Sequence, residues 1–186
     1  MRSLFILIWS LAWPAVAGNF NIVNLSGKEK LTIEISCDRR TQVIALASGS
    51  DSGTFTLPEK DATFRVKEHK LDACSLKADR AGRIVVIYQK GDALQWHTVT
   101  SKAEKNQTSL HLINLTSEEV SLKMKDQTIA LAAGKDHDAG VFDSLSLSVT
   151  LGDQKKQTVK VEEPTAFIGV VYPTAAGPRL QFVADR

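Results

Sequence analysis

The chain has 186 residues, 43% of them hydrophobic and 24% charged, with 23 Lys and Arg against 21 Asp and Glu. Its formal net charge is only +2, and the basic residues cluster no further than the pairs Arg39-Arg40 and Lys155-Lys156. That excludes the concentrated positive footprint that nucleic acid requires, and two cysteines without a nearby histidine pair do not make a zinc site.

The first segment reads as a signal peptide. Met1-Arg2 gives a positive start, L-F-I-L-I-W-S-L-A-W an apolar stretch, and Ala15-Val16-Ala17 the small residues that a signal peptidase reads. Cleavage is expected after Ala17, so residues 1–17 are the leader and the rest is periplasmic or secreted. The apolar stretch falls short of the roughly 20 residues that an anchor needs, and no cysteine follows it to carry a lipid. No later segment reads as a transmembrane helix, so the exported chain is not expected to be membrane-embedded. Export also predicts that Cys37 and Cys74 are bridged, because disulfides persist outside the cytoplasm. The 36 residues between them would make such a bridge worth roughly 3–4 kcal/mol on the entropic model.

Beyond the leader the chain is written twice. N-I-V-N-L-S at 21–26 matches H-L-I-N-L-T at 111–116, and L-T-I-E-I at 31–35 matches V-S-L-K-M at 120–124. I-A-L-A-S-G-S-D-S-G at 44–53 then matches I-A-L-A-A-G-K-D-H-D-A-G at 129–140, with a loop two residues longer. A-T-F-R-V (62–66) follows against L-S-L-S-V (145–149), V-V-I-Y (85–88) against G-V-V-Y (169–172), and L-Q-W (94–96) against L-Q-F (180–182). Six blocks in one order indicate a duplicated domain. Within each copy apolar residues alternate with polar ones, the period of strands with one wet face, and no helical pattern stands out. R-I-V-V-I-Y and A-F-I-G-V-V-Y are continuous apolar runs, which predicts central strands buried on both faces. Gly91-Asp92 between two strands predicts a hairpin turn. The expected fold is all-β: two tandem homologous antiparallel β-sandwiches, Ig-like or jelly-roll-like, of six or seven strands each. They should occupy 18–100 and 108–186, joined by the polar linker 101–107. So short a linker predicts a side-by-side or end-to-end pair with a modest interface.

The search for chemistry is mostly negative. In G-S-D-S-G the central position of a nucleophile elbow is Asp51 rather than serine, and no helix pattern follows, so neither that elbow nor a phosphate cradle is expected. Asp136-His137-Asp138 are adjacent, and neighbours on a strand point to opposite faces, so a metal site is not expected either. Trp96, Tyr88, Tyr172 and Phe182 could stack on sugars, yet their matched strand positions favour a core role. The Asn-x-Ser/Thr triplets at 24, 106 and 114 include two repeated positions, which reads as structural: Asn24 and Asn114 should cap strand ends through side-chain bonds to the backbone. Shared features most simply serve the shared fold. A specific ligand or partner surface should use unmatched residues, which makes Arg39, Arg40, His69, Trp96, His97, Lys135 and His137 the candidates.

The signal segment, the [VI]-x-N-[LA]-[ST] block, the apolar A-x-G turn and V-x-V-[LV]-Y before an L-x-[WF] strand resemble the AlgF family of alginate-biosynthesis proteins. V-V-Y-P-T-A-A-G-P-R-L-Q-F with N-L-T-S-E-E-V-S-L-K carries most of the likeness, which extends over the exported chain. The resemblance implies a periplasmic, non-catalytic protein without a cofactor. Its expected partners are the acyltransferases of a polysaccharide-modifying complex, working in O-acetylation or export of an exopolysaccharide. The alternatives are a carbohydrate-binding module that takes the polysaccharide itself, and a small exported hydrolase or esterase. The last would require a Ser hydroxyl or a carboxylate within reach of His69, His97, His111 or His137.

Overall fold

In a computed structural model the fold is described for residues 17–58, 61–77, 82–101, 107–124, 127–142, 146–154, 156–160 and 163–185. The leader up to residue 16 and linker residues 102–106, with the triplet at 106, lie outside these. The described residues hold sixteen strands and no helix, arranged as four sheets of four. The chain is all-β, two tandem sandwiches, with eight strands in each rather than six or seven.

In the first half β4 (Phe55–Pro58), β1 (Ala17–Leu25), β7 (Arg83–Lys90) and β8 (Ala93–Thr100) form one sheet in that order. The facing sheet runs β3 (Arg40–Ala47), β2 (Lys30–Cys37), β5 (Asp61–Val66), β6 (Cys74–Lys77). The second half repeats this strand for strand. One sheet is β12 (Asp136–Phe142), β9 (Thr108–Asn114), β15 (Ala166–Thr174), β16 (Gly177–Asp185). Its partner is β11 (Gln127–Leu131), β10 (Val120–Met124), β13 (Ser146–Leu151), β14 (Gln157–Lys160). Neighbours are antiparallel except β1 with β7 and β9 with β15, which are parallel. Those two pairs are linked through the opposite sheet rather than by a hairpin, so nothing forces them to run opposite ways.

Each sandwich closes on its own core. In the first, Phe20, Ile22, Leu31, Ile33, Ile35, Phe64, Val85 and Ile87 are buried between the sheets. In the second, Leu110, Leu112, Leu122, Val149, Phe167 and Val171 play that part. Gly169 stands where the first half has Val85, and Leu112 occupies the space a side chain would take: a Cβ there would lie 2.8 Å from its Cδ2.

A third core lies between the halves. Val23, Leu25, Ile84, Val86, Tyr88 and Val99 pack with Ile113, Leu115, Ile168, Val170, Tyr172 and Val183. These are six residues and their six repeat equivalents, by strand register. The β1–β7 and β9–β15 sheets therefore face each other with their outer sides, giving four stacked layers and not the side-by-side or end-to-end pair expected. Matched strands meet across the contact, β7 against β15. It is the self-complementary geometry of an isologous dimer, here within one chain. The continuous runs in β7 and β15 now have a cause. One face of each strand fills its own sandwich and the other fills the shared interface.

Two polar devices recur in the turns. Asn24 is fully buried; its Nδ2 donates to the Leu46 carbonyl at 3.1 Å, and its Oδ1 accepts from Ser26 N and Oγ at 3.1 and 2.6 Å. Asn114 does the same with Leu131 O at 2.9 Å, Glu118 O at 2.7 Å, and Thr116 N and Oγ1 at 2.9 and 2.7 Å. Both amides are thus structural strand-end caps, and their burial leaves no room for a glycan on the folded chain. Gly49 and Gly134 hold the matched turns after β3 and β11 at φ of 76° and 67°, a region that glycine enters without steric cost. Gly91 sits at φ 60° in the expected hairpin, with Lys90 opposite Ala93.

The expected disulfide is absent. Cys37 pairs with Ala62, while Cys74 lies opposite Phe64 on the far side of β5. Two strand spacings put these residues on the order of 10 Å apart, beyond the roughly 7 Å that a bridge allows between Cα atoms. Burial pushes the Cys74 thiol up, and the Thr98 hydroxyl pulls it part of the way back. Adding a reductant to the folded protein should leave its melting temperature unchanged, and thiol titration of the denatured chain should count two. A fall in Tm under reductant would restore the bridge.

Candidate functional site

The structure scatters most of the sequence candidates. Arg39 is in the turn between β2 and β3, where Asp38 takes φ 55°, and Arg40 opens β3 opposite Cys37. His69 lies in the turn after β5, at the other end of that sheet. Trp96 packs against the first core and donates from Nε1 to the Asp72 carbonyl at 2.8 Å. His137 is exposed on β12 opposite Leu112. The other aromatics proposed for stacking are also engaged. Tyr88 and Tyr172 belong to the interdomain core, Phe182 to the second sandwich, and the Tyr88 hydroxyl donates to Gln95 Oε1 at 2.9 Å.

The serines of residues 48–53 are tied into scaffold. Ser50 Oγ donates to Ala47 O at 2.7 Å, and Ser52 Oγ accepts from Ile22 N at 2.9 Å while donating to Gly53 O at 2.7 Å. Asp51 accepts from Gly53 N at 2.8 Å. Each polar group closes the loop or fixes it to β1.

Two candidates do come together. His97 and Lys135 line a cavity of about 320 Å³ between the halves, with Thr98, Thr100, His111 and Asp136. Strand alternation explains the meeting. His97 precedes Val99 by two residues on β8, and His111 precedes Ile113 by two on β9, so both project from the faces that build the interdomain core. They sit at its margin, where the apolar contact ends and the cavity begins. His111 Nε2 lies 3.0 Å from Asp136 Oδ2, the diagonal neighbour across the β9–β12 ladder. The His111 side chain is 9% exposed and that of Asp136 62%.

Sequence reasoning left His111 and Asp136 out of the candidate set. Only the register of two distant segments brings them beside His97. The usable signal was the polar histidine in the otherwise apolar run S-L-H-L-I-N, where the first copy has Asn21.

A carboxylate within reach of a histidine meets one condition for a hydrolase, but the arrangement goes no further. In a nucleophile–His–Asp relay one ring nitrogen meets the acid and the other meets the attacking hydroxyl. Here Nε2 takes the acid, and Nδ1 is sealed from solvent where no substrate reaches it. Thr100 Oγ1 already accepts from Arg83 Nη1 at 2.6 Å. Among the described residues no group of three or more His, Cys, Asp or Glu side chains is placed to hold a metal, and no helix is long and apolar enough to cross a membrane.

Burial pushes the His97 imidazole below its ordinary 6.5, and Asp136 pulls it part of the way back. The folded protein therefore takes up that proton less readily than the unfolded chain. Stability linked to His97 is complete above pH 6.5 and is lost as pH falls below it. A drop in Tm between pH 7.5 and 5.5 is expected, smaller in His97→Gln, which carries the residue used at the equivalent position, Gln181. Equal drops in both proteins would show that other groups cause the effect.

No protein-family model matches the chain, and no curated protein matches it significantly.

Proposed function

We propose that the protein is a non-catalytic extracytoplasmic adaptor of the AlgF type. It binds protein partners in the O-acetylation or export of an exopolysaccharide. The observation that carries the binding role is the pair Val43 and Val141, 49% and 57% exposed. Val43 lies on β3 and Val141 on β12, both edge strands with an open row of backbone groups. Such edges take up an added strand, and an exposed β-branched residue beside one gives the contact its apolar anchor. The fold requires neither valine, since register places Thr128 and Thr56 at the equivalent positions. The polysaccharide setting rests on the signal segment and the family resemblance.

The test is capture from native envelope extracts with the full chain as bait, beside Val43→Lys and Val141→Lys variants. Enrichment of acyltransferase or polysaccharide-export components that the lysine variants lose is the expected result. Recovery of neither class, or equal recovery by all three baits, would count against the reading.

A further inference from the structure

A site special to one half must differ from its equivalent in the other, and the His97–Lys135 cavity does. Across the internal two-fold relation lies a second cavity of about 460 Å³, lined by Asn21, Asp51 and Gly53 of the first half and Ala184 of the second. Register equates the two position by position. Asn21 stands opposite Ile84 as His111 stands opposite Ile168, and Asp51 pairs with Val23 as Asp136 pairs with Ile113. The carbonyls of Ser50 and Lys135 accept from Asn24 N and Asn114 N at 3.0 and 2.9 Å. Gln181 lies opposite Val170 where His97 lies opposite Val86. Both sides keep the frame and one aspartate. Only one side carries a lysine and two imidazoles, and a half that folds with Asn, Ser and Gln shows that the fold does not need them.

We propose that this cavity binds a small oxyanion, a carboxylate or a phosphate. Lys135 supplies the positive charge, and the His97 ring N–H supplies a directional donor. Asp136 also lines the cavity, with its Oδ2 held 3.0 Å from His111 Nε2. Val99 and Ile113 form the wall on the core side, and such a low-dielectric wall strengthens attraction for a charged group. Entry is from the Lys135–Asp136 side, where both residues are exposed. This site stands apart from the strand edges at Val43 and Val141, so it is tested without any partner protein.

The experiment is a titration of the full chain with succinate, with inorganic phosphate and with an uncharged hexose, followed by the side-chain nitrogen shifts of His97 and His111. A saturable shift with succinate or phosphate and none with hexose is expected, and which anion binds more tightly names the class. Replacing the site with the equivalent residues of the other half, His97→Gln with Lys135→Ser, should keep the fold and weaken binding about tenfold or more. Backbone amide shifts report binding in that variant. If it does not fold, Lys135→Ser alone serves. No shift with either anion, the same shift with hexose, or full affinity in the variant overturns the proposal.

Discussion

Val86→Asp should lower the stability of the whole protein by about 4 kcal/mol or more and destroy its single melting transition. Val86 is fully buried in the core shared by the two halves, opposite His97 on its own sheet and facing the second half. A carboxylate there has no partner within the apolar cluster and must either lose hydration or open the interface. A sandwich of this size is marginal by itself, because small domains bury a smaller share of their surface, so the halves depend on one another. Calorimetry of the unaltered protein should show one transition, since neither sheet of the interface can expose its outer face without a cost in apolar area. Val170→Asp should act alike, because Val170 occupies the equivalent position on the other side of the contact. Val86→Ala, which removes volume without adding charge, should cost only about 2 kcal/mol and keep the single transition. Val43→Asp on the exposed edge should change little. Two wild-type transitions, with only the first half's moved by Val86→Asp, would mean that the interface contributes nothing.

The internal duplication, the all-β class and the hairpin at Gly91-Asp92 were legible in the sequence, because hydrophobic period and turn chemistry are local. The residue-by-residue correspondence was less so. Matching letters paired A-T-F-R-V with L-S-L-S-V, but the ladders place Phe64 with Val149 and Val66 with Leu151. They also place Trp96 with Leu180 rather than Phe182. Each slip is of two residues, which keeps a side chain on the same face of its strand and so leaves the pattern intact. The same slip lies behind the apparent two-residue insertion before Gly140. In the ladders Asp136 stands for Asp51 and Gly140 for Phe55, with no length change between them.

The face-to-face interface was written in the sequence too, in two strands apolar on both sides, but period alone does not say what covers the second face. The Cys37–Cys74 bridge failed for a different reason. Compartment chemistry permits a disulfide, while strand order decides whether two sulfurs meet. The cavity was half-legible: an unmatched His97 and Lys135 could be singled out, but the His111–Asp136 pair exists only through register.

Asn24→Ala and Asn114→Ala should each cost roughly 2–3 kcal/mol through the hydrogen bonds of two fully buried amides. Each amide satisfies two carbonyls with its Nδ2, one in the adjoining turn and one on the facing sheet, and a backbone N–H two residues on with its Oδ1. Truncation leaves the Leu46 or Leu131 carbonyl facing a dry gap, and that desolvation is what costs, more than the bonds themselves. Asn24→Asp separates this account from simple loss of volume. The shape is kept, but the oxygen that replaces Nδ2 would face Leu46 O at about the present 3.1 Å. The acid must then be protonated in the fold, its pKa rises above the unfolded value, and its stability contribution is present at low pH and lost as pH rises through the carboxylate range. Asn24→Asp should accordingly be less stable than Asn24→Ala at pH 7.5 and recover part of the difference at pH 4.5, with each stability referred to the unaltered protein at the same pH. Denaturant melts of the three proteins at both values provide the check. An Asp variant as stable as the parent at pH 7.5 would mean that the amide nitrogen is not the group holding these turns, and that the repeated asparagines are kept for some other reason.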